Sequence, residues 1–148
     1  MGLTVGYPHN VRLRYNPHWH RRRKLDKALW GLEVARVISI HEYDLKPGAD
    51  VAAFERAIRV AEQRGLFALA GLVDHYFLKG IKGARRDAYS AVWIFESREA
   101  WEKLWGSLEV PRPPAEYPKA WMVWEDEILA PFLARPPDTI RFTSYEEL

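Results

Sequence analysis

One short segment, Tyr89–Phe95 (YSAVWIF), carries apolar side chains on both faces that a strand would present. Its β-branched and aromatic residues favour a strand, in which successive side chains point to opposite sides. A strand that is apolar on both faces has to be covered on both sides. We therefore expect Ala88–Glu96 to be a central strand, with helices against one sheet face and another cover on the opposite face.

Three further segments predict strands. Arg36–Asp44 alternates and is rich in β-branched residues, Leu72–Lys79 is a second candidate, and Thr139–Tyr145 alternates clearly near the end of the chain. Between the second and third strands, Gly80–Asp87 has the composition of a connecting loop.

Helical spacing fills the longer intervals between these strands. The first predicted helix begins after Asp50, which suits an N-cap, and ends before Gly65. A second, short helix begins after Ser97 and ends at Gly106. An additional helix begins near Pro118 and stops at Pro131. The tryptophans of the last two helices fall at helical spacing, so we interpret them as packing residues: Trp101, Trp105, Trp121 and Trp124.

The order of these elements predicts an α+β domain. Strand, helix, strand, strand, helix and strand, with the extra helix before the last strand, correspond to a ferredoxin-like βαββαβ unit with a four-stranded antiparallel sheet. In that topology the first and third strands are central neighbours, and the helices cover one sheet face only. Because the third strand requires cover on the other face, we predict a homodimer joined through the sheet faces.

The charge of the chain divides it into two parts. Residues 1–36 contain 8 Lys/Arg and 2 Asp/Glu, whereas the rest contains 14 and 18, so the two parts carry +6 and −4. We interpret residues 1–34 as an N-terminal basic extension and residues 35–148 as the ferredoxin-like α/β-barrel domain. The extension is expected to pack on the acidic domain of its own chain or of its partner.

Composition narrows the possible chemistry and location. The chain has no cysteine, which excludes disulfides, thiolate nucleophiles and iron–sulfur clusters and fits a reducing compartment. No apolar run approaches the roughly 20 residues that span a bilayer, and the first residues lack the pattern of a signal peptide. We therefore expect a cytoplasmic protein that has no membrane partner.

Several features between Val37 and Tyr145 occur together in one known group of proteins. The first strand ends in Leu45-Lys46-Pro47-Gly48, the following helix carries Phe54, and Trp93–Ser97 leads into Glu99–Trp101 before the C-terminal strand. In these features the chain resembles the dimeric α/β-barrel superfamily, which includes the antibiotic-biosynthesis-monooxygenase-like proteins. The resemblance implies two sheets facing each other across a barrel, with a pocket under the helices or inside the barrel. Members include cofactor-free oxygenases, isomerases, haem-handling enzymes and proteins without assigned activity.

The candidate site rests on two histidines. His41 and His75 each lie in a predicted strand, with Tyr43 and Phe77 two residues further on, so that each pair shares a sheet face. His41, Tyr43 and His75 are the candidate catalytic residues, because an imidazole moves protons near neutral pH. The candidate ligand-binding residues are Phe77, Tyr89 and Trp93. The alternative is that both histidines are partly buried, hydrogen-bonded residues of the core.

Other interpretations are weaker. Every histidine lies at or before position 75 and none lies in a predicted helix of the main domain, so the axial ligand of haem-degrading members is missing. His18 and His20 have no third metal ligand nearby, and we predict neither a cofactor nor a metal. The basic run Arg21–Lys24 lies among aromatic residues, as in single-stranded nucleic-acid binders, but a charge run of this kind is more often the solvated face of a helix. The Gly80–Gly83 loop does not match a phosphate-binding P-loop.

Two functions from different classes remain open. The first is a small-molecule-binding dimer that acts as a cofactor-free oxygenase or isomerase on a small hydrophobic or aromatic compound. The second is a non-enzymatic ligand-binding or structural dimer. A single-stranded nucleic-acid binder that uses the N-terminal extension is a third, less favoured interpretation.

Overall fold

A computed structural model describes residues 34–148 of the chain. The predictions on the N-terminal extension, including those on His18, His20 and Arg21–Lys24, lie outside the described residues. Val34–Leu148 form one compact unit. Within this unit, no helix has the length and apolar character that crossing a membrane requires.

The described residues form the predicted succession of elements. In chain order they are β1 (Val37–Tyr43), α1 (Val51–Gln63), β2 (Leu72–Lys79), β3 (Tyr89–Phe95), α2 (Arg98–Trp105), α3 (Lys119–Met122) and β4 (Arg141–Glu146). Short 3-10 turns at Pro114–Glu116 and Pro137–Thr139 lie on either side of α3.

The four strands form one sheet in the order β2-β3-β1-β4, and all neighbours are antiparallel. This is the ferredoxin-like βαββαβ arrangement, with β1 and β3 at the centre as predicted. The register places His41 of β1 opposite Ala91 and Phe142. Trp93 of β3 lies opposite Ser39 on one side and His75 on the other.

Both predicted helix caps are present. The side chain of Asp50 accepts a hydrogen bond from the backbone N–H of Ala53 at 2.9 Å, and Ser97 does the same for Ala100 at 3.1 Å. These contacts satisfy amides that have no partner within the first helical turn. The caps orient α1 and α2 so that their apolar sides pack on the sheet.

The helix that begins near Pro118 differs from the regular α-helix predicted. After one α-helical turn, α3 continues as a π-helix over Val123–Leu129 and closes in a 3-10 turn at Ala130–Phe132. Trp121 and Trp124 are buried, as packing residues should be. π-Helices are rare and often occur at functional sites.

The two faces of the sheet differ in their cover. Toward the helices, Tyr43, Trp93 and Phe95 are almost completely buried. The opposite face carries apolar side chains at its centre, and residues 34–148 do not cover it. We call it the bare face, and its apolar residues are Ile38, Ile40, Val92 and Ile94, which are half-buried, with Leu78 and Tyr145, which are exposed.

The loop between β2 and β3 is held from inside by Arg85. Its guanidinium pairs with the carboxylate of Asp44 at 2.5 Å and donates to the carbonyls of Tyr43 at 3.3 Å and Tyr89 at 2.8 Å. A Cβ on Gly80 would overlap the carbonyl oxygen of Arg85, so that position requires glycine. Arg85 thus ties the loop to β1 and β3.

Candidate functional site

A cavity of about 460 Å³ lies between the helix-facing side of the sheet and α2, α3 and the segments around them. Its volume is within the range of small-molecule sites. We call it the aromatic cavity, because its walls include Trp93, Trp101, Trp105, Tyr117, Trp121 and Phe142. Its polar lining residues are Ser39, His41, Ser107, Glu125, Asp138, Thr143 and Ser144.

The aromatic walls meet at steep angles. The rings of Trp93 and Trp121 have centroids 4.9 Å apart at 74°, and those of Trp105 and Trp121 are 5.1 Å apart at 62°. Tyr117 meets Trp105 at 5.0 Å and 89°. Edge-to-face contacts of this kind are favourable, so the aromatic walls stabilise one another.

His41, on β1, lines the aromatic cavity. Its ring is 6.1 Å from Trp93, 5.9 Å from Trp121 and 5.5 Å from Phe142, measured between centroids. Its Nδ1 is buried and has no hydrogen-bond partner among residues 34–148. Burial lowers the pKa of His41 to about 4, so the imidazole is neutral at pH 7.

Glu125, on the π-helix, is the second titratable group of the cavity. Burial raises its pKa to about 7, the indole N–H of Trp121 opposes that shift, and the charges of Asp126 and Asp138 add to it. A carboxyl group with this pKa is about half ionised at neutral pH and suits general acid–base chemistry.

Sequence reasoning did not identify Glu125. The available signal was its position four residues after Trp121, which puts both side chains on one helix face.

Trp121 links the two titratable groups. Its ring contacts His41, and its indole N–H interacts with Glu125. The hydroxyls of Ser39 and Ser144, 2.6 Å apart, join β1 and β4 in the same cavity. The arrangement combines a carboxylate that can take a proton, a neutral imidazole and an apolar enclosure.

The structure separates the second predicted histidine from this cavity. His75 and Phe77 lie on β2, on the other side of Trp93, and pack against Phe67. The Nε2 of His75 is 3.3 Å from Oε1 of Glu62 on α1. The expectation that both histidines line one pocket is therefore corrected: only His41 lines the aromatic cavity, although both rings contact Trp93.

Tyr43 and Tyr89 also lie outside the aromatic cavity. Burial raises the pKa of Tyr43 above its usual range, against the opposing effect of the indole N–H groups of Trp124 and Trp93. Tyr89 is buried against Phe54 and donates its hydroxyl hydrogen to Glu55 at 2.6 Å. Burial and that hydrogen bond raise its pKa to about 12. Of the predicted site residues, the cavity thus contains His41 and Trp93.

The described residues contain no cluster of possible metal ligands. Within residues 34–148, no three His, Asp or Glu side chains come together in a way that could hold an ion.

The fold has counterparts among solved structures. A dimeric ferredoxin-like protein of unknown function from Jannaschia sp. CCS1 superposes with a TM-score of 0.51 and is 12% identical, over 75% of this chain and 98% of that one. The described part of this chain thus shares the ferredoxin-like fold of that protein. The resemblance stated from the sequence is thereby confirmed at the level of the fold.

Two further solved structures are similar at lower scores. A dimeric ferredoxin-like protein of unknown function from Thermobifida fusca YX has a TM-score of 0.49 and 13% identity, over 78% of this chain and 93% of that one. SnoaB, a cofactor-independent oxygenase from Streptomyces nogalater, has a TM-score of 0.46 and 12% identity, over 76% and 92%. No protein-family model and no curated protein sequence matches the chain.

Proposed function

We propose that the protein is a cofactor-independent enzyme that removes a proton from a small hydrophobic or aromatic compound bound in the aromatic cavity. Glu125 is the proton acceptor, and His41 is its hydrogen-bonding partner across the substrate. The observation that carries the proposal is the pairing of a carboxyl group of pKa about 7 with a neutral imidazole inside one aromatic enclosure.

The two reaction classes expected from the sequence share this first step. The Glu125 carboxylate takes a proton from a carbon or hydroxyl of the substrate, and the electron pair of the broken bond stays on the substrate. In an isomerase, Glu125 returns the proton to a different substrate atom. In a cofactor-free oxygenase, the electron-rich substrate reacts with O₂, and the new peroxide oxygen takes up the proton.

The walls of the cavity support both roles. Aromatic rings bind a flat apolar substrate and exclude water, which keeps the pKa of Glu125 high enough for it to act as a base at neutral pH. The neutral His41 provides one donor or one acceptor without placing a charge against the substrate.

We also propose that the active form is a homodimer in which two bare faces meet. The solved structure from Jannaschia sp. CCS1 is described as dimeric. Burial of a continuous apolar surface favours association, and a stable interface requires a total of about 1,200 Å² or more.

The proton-transfer proposal can be tested without knowledge of the natural substrate. Nitrobenzisoxazole is a flat aromatic compound whose ring opens when a base removes its C–H proton: the N–O bond breaks, a nitrile forms and a coloured phenolate is released. We expect the protein to accelerate this reaction, with a rate that rises through about pH 7 as Glu125 ionises. Glu125→Gln should lower the rate about 100-fold.

The matched control is Glu127→Gln, an exposed glutamate on the same π-helix that does not line the cavity. It should leave the rate unchanged. A protein that binds the compound but does not accelerate its opening, or in which both variants behave alike, contradicts the enzyme proposal and supports the non-enzymatic ligand-binding alternative.

A further inference from the structure

The charged residues known to line the aromatic cavity are all acidic. Among the described residues, the charged side chains that line it are Glu125 and Asp138, and no lysine or arginine contributes to its walls. Neither carboxylate has an ion-pair partner within residues 34–148. His41 adds no positive charge, because it is neutral at pH 7.

We propose that the aromatic cavity selects organic cations: compounds with a substituted ammonium group on an apolar body, whose charge lies against the indole rings and the Glu125 carboxylate. This inference rests on the proposed function only in assigning the substrate to the same cavity. It narrows the substrate from a hydrophobic compound to a positively charged one.

The ring geometry supports a cation site. An aromatic face carries a negative quadrupole potential, and several rings around one position form the cage by which proteins bind substituted ammonium groups. Trp105, Tyr117 and Trp121 all line the cavity, and the Trp105 ring lies 5.0 Å from Tyr117 and 5.1 Å from Trp121 at steep angles. Trp93 extends the same wall through its contact with Trp121.

The carboxylates supply the second half of the recognition. Glu125 is half-buried and Asp138 is exposed, so the cavity presents one negative group within it and one nearer solvent. A substituted ammonium ion is weakly hydrated compared with a primary one and cannot donate several hydrogen bonds, which suits an aromatic wall with one carboxylate. An anionic ligand would meet both carboxylates without a compensating cation, and like charges at close range oppose binding.

Binding of a cation is coupled to the protonation of Glu125. Among residues 34–148, the titratable groups that face it are Asp126 on its own helix, Asp138 before β4, Tyr117 before α3, and Tyr43 on β1, whose pKa Glu125 raises. None of them is a cation. A bound ammonium group therefore favours the carboxylate, and binding below the pKa of about 7 releases a proton.

Three probes of similar shape and different charge provide the test: phenyltrimethylammonium, its neutral isostere tert-butylbenzene, and benzenesulfonate. Binding to the full chain is measured by tryptophan fluorescence and by calorimetry in two buffers of different ionisation enthalpy. We expect the cation to bind about tenfold more tightly than the isostere at pH 8. The preference should weaken toward pH 6, with proton release on binding, and benzenesulfonate should bind worst.

Glu125→Gln should weaken the preference for the cation and remove its pH dependence, while the aromatic rings retain part of the preference. Unchanged binding of tert-butylbenzene shows that the cavity is intact. Glu127→Gln should behave as the wild type. Equal affinity for cation and isostere in the wild type, or tighter binding of benzenesulfonate, overturns the inference. Ring opening of nitrobenzisoxazole by Glu125 in the same preparation would leave the proposed function standing in that case. Cation selectivity without ring opening would remove the proposed function and leave the cation site.

Discussion

The imidazole of His75 stacks on the indole of Trp93, with ring centroids 5.7 Å apart and ring planes 20° apart. His41 approaches the same indole at 6.1 Å and 67°. One tryptophan thus separates two histidines that the strand register places on one sheet face. The stacked histidine belongs to the cluster with Phe67 and Phe77, and the other belongs to the aromatic cavity.

The stacking of His75 predicts a structural role. His75→Asn removes the ring contacts with Trp93 and Phe67 and should lower the free energy of unfolding by about 1–2 kcal/mol in urea titrations. Its nitrobenzisoxazole rate should match that of the wild type, because the residue does not reach the cavity.

His41→Asn is the matched substitution on the other side of Trp93. We expect it to lower the same rate about tenfold, the effect of one lost hydrogen bond to a reacting group. If His75→Asn reduced the rate in a fully folded protein and His41→Asn did not, the assignment of the two histidines would be reversed.

Much of this fold follows from short-range signals. The two-sided apolar pattern of Tyr89–Phe95 identifies the central strand, and Asp50 and Ser97 mark helix starts that the structure has at those residues. Strand alternation correctly puts His41 and Tyr43 on one face. These features are local, so the sequence displays them directly.

The site required information that is not local. Whether His41 or His75 faces a cavity depends on which helix covers each end of the sheet, and alternation contains nothing about that. Burial raises the pKa of Glu125, Trp121 opposes the shift, and the charges of Asp126 and Asp138 add to it, so the pKa depends on residues from several elements. The π-helical turn that carries Glu125 has no simple periodic signature, because the sequence from Pro118 to Pro131 reads as an ordinary amphipathic helix.

The raised pKa of Glu125 predicts a pH dependence of stability. In the folded protein the Glu125 carboxyl stays protonated up to about pH 7, whereas its ordinary pKa is 4.5. Between pH 4.5 and pH 7 the folded state therefore binds more protons than the unfolded state. The stability from this group is fully present below about pH 4.5 and is lost as pH rises through 7, by about 3 kcal/mol in total. Glu125→Gln should therefore lose less stability than the wild type over this range.

Chemical unfolding of both proteins at a series of pH values measures that difference directly. The comparison with the variant matters because His41 acts in the opposite direction: its pKa is lowered to about 4, so its contribution is lost as pH falls from its ordinary value of 6.5. If the free energy of unfolding changed with pH in parallel for the wild type and Glu125→Gln, Glu125 would not be protonated in the folded state at pH 6.

The bare face predicts the oligomeric state. Leu78→Asp places a carboxylate on this face at a position that is 47% exposed in the single chain, so the fold itself should tolerate it. If two bare faces meet in a dimer, the buried unpaired charge should convert the protein to a monomer, as measured by light scattering at micromolar concentration.

Val60→Asp is the control, since Val60 is 46% exposed on α1, away from the sheet. This variant should remain a dimer with the mass of the wild type. A wild-type protein that is monomeric under the same conditions would contradict the dimer proposal, and so would a Leu78→Asp variant that stays dimeric.

Two neighbouring arginines of the β2–β3 loop predict opposite outcomes for one substitution. Arg85 is turned inward to Asp44 and to the carbonyls of Tyr43 and Tyr89, whereas the Arg86 side chain is 74% exposed and its ion pair with Asp87 is at 3.5 Å. Arg85→Ala leaves these acceptors without their donor and should lower the free energy of unfolding by about 2 kcal/mol. Arg86→Ala should change it by less than about 0.5 kcal/mol, because an exposed ion pair contributes little.

Urea titration of both variants measures the contrast, and inorganic phosphate added at increasing concentration should stabilise neither the wild type nor the variants. Equal losses from the two substitutions would contradict the structural role of Arg85, and stabilisation by phosphate that Arg85→Ala removes would indicate an anion site in this loop.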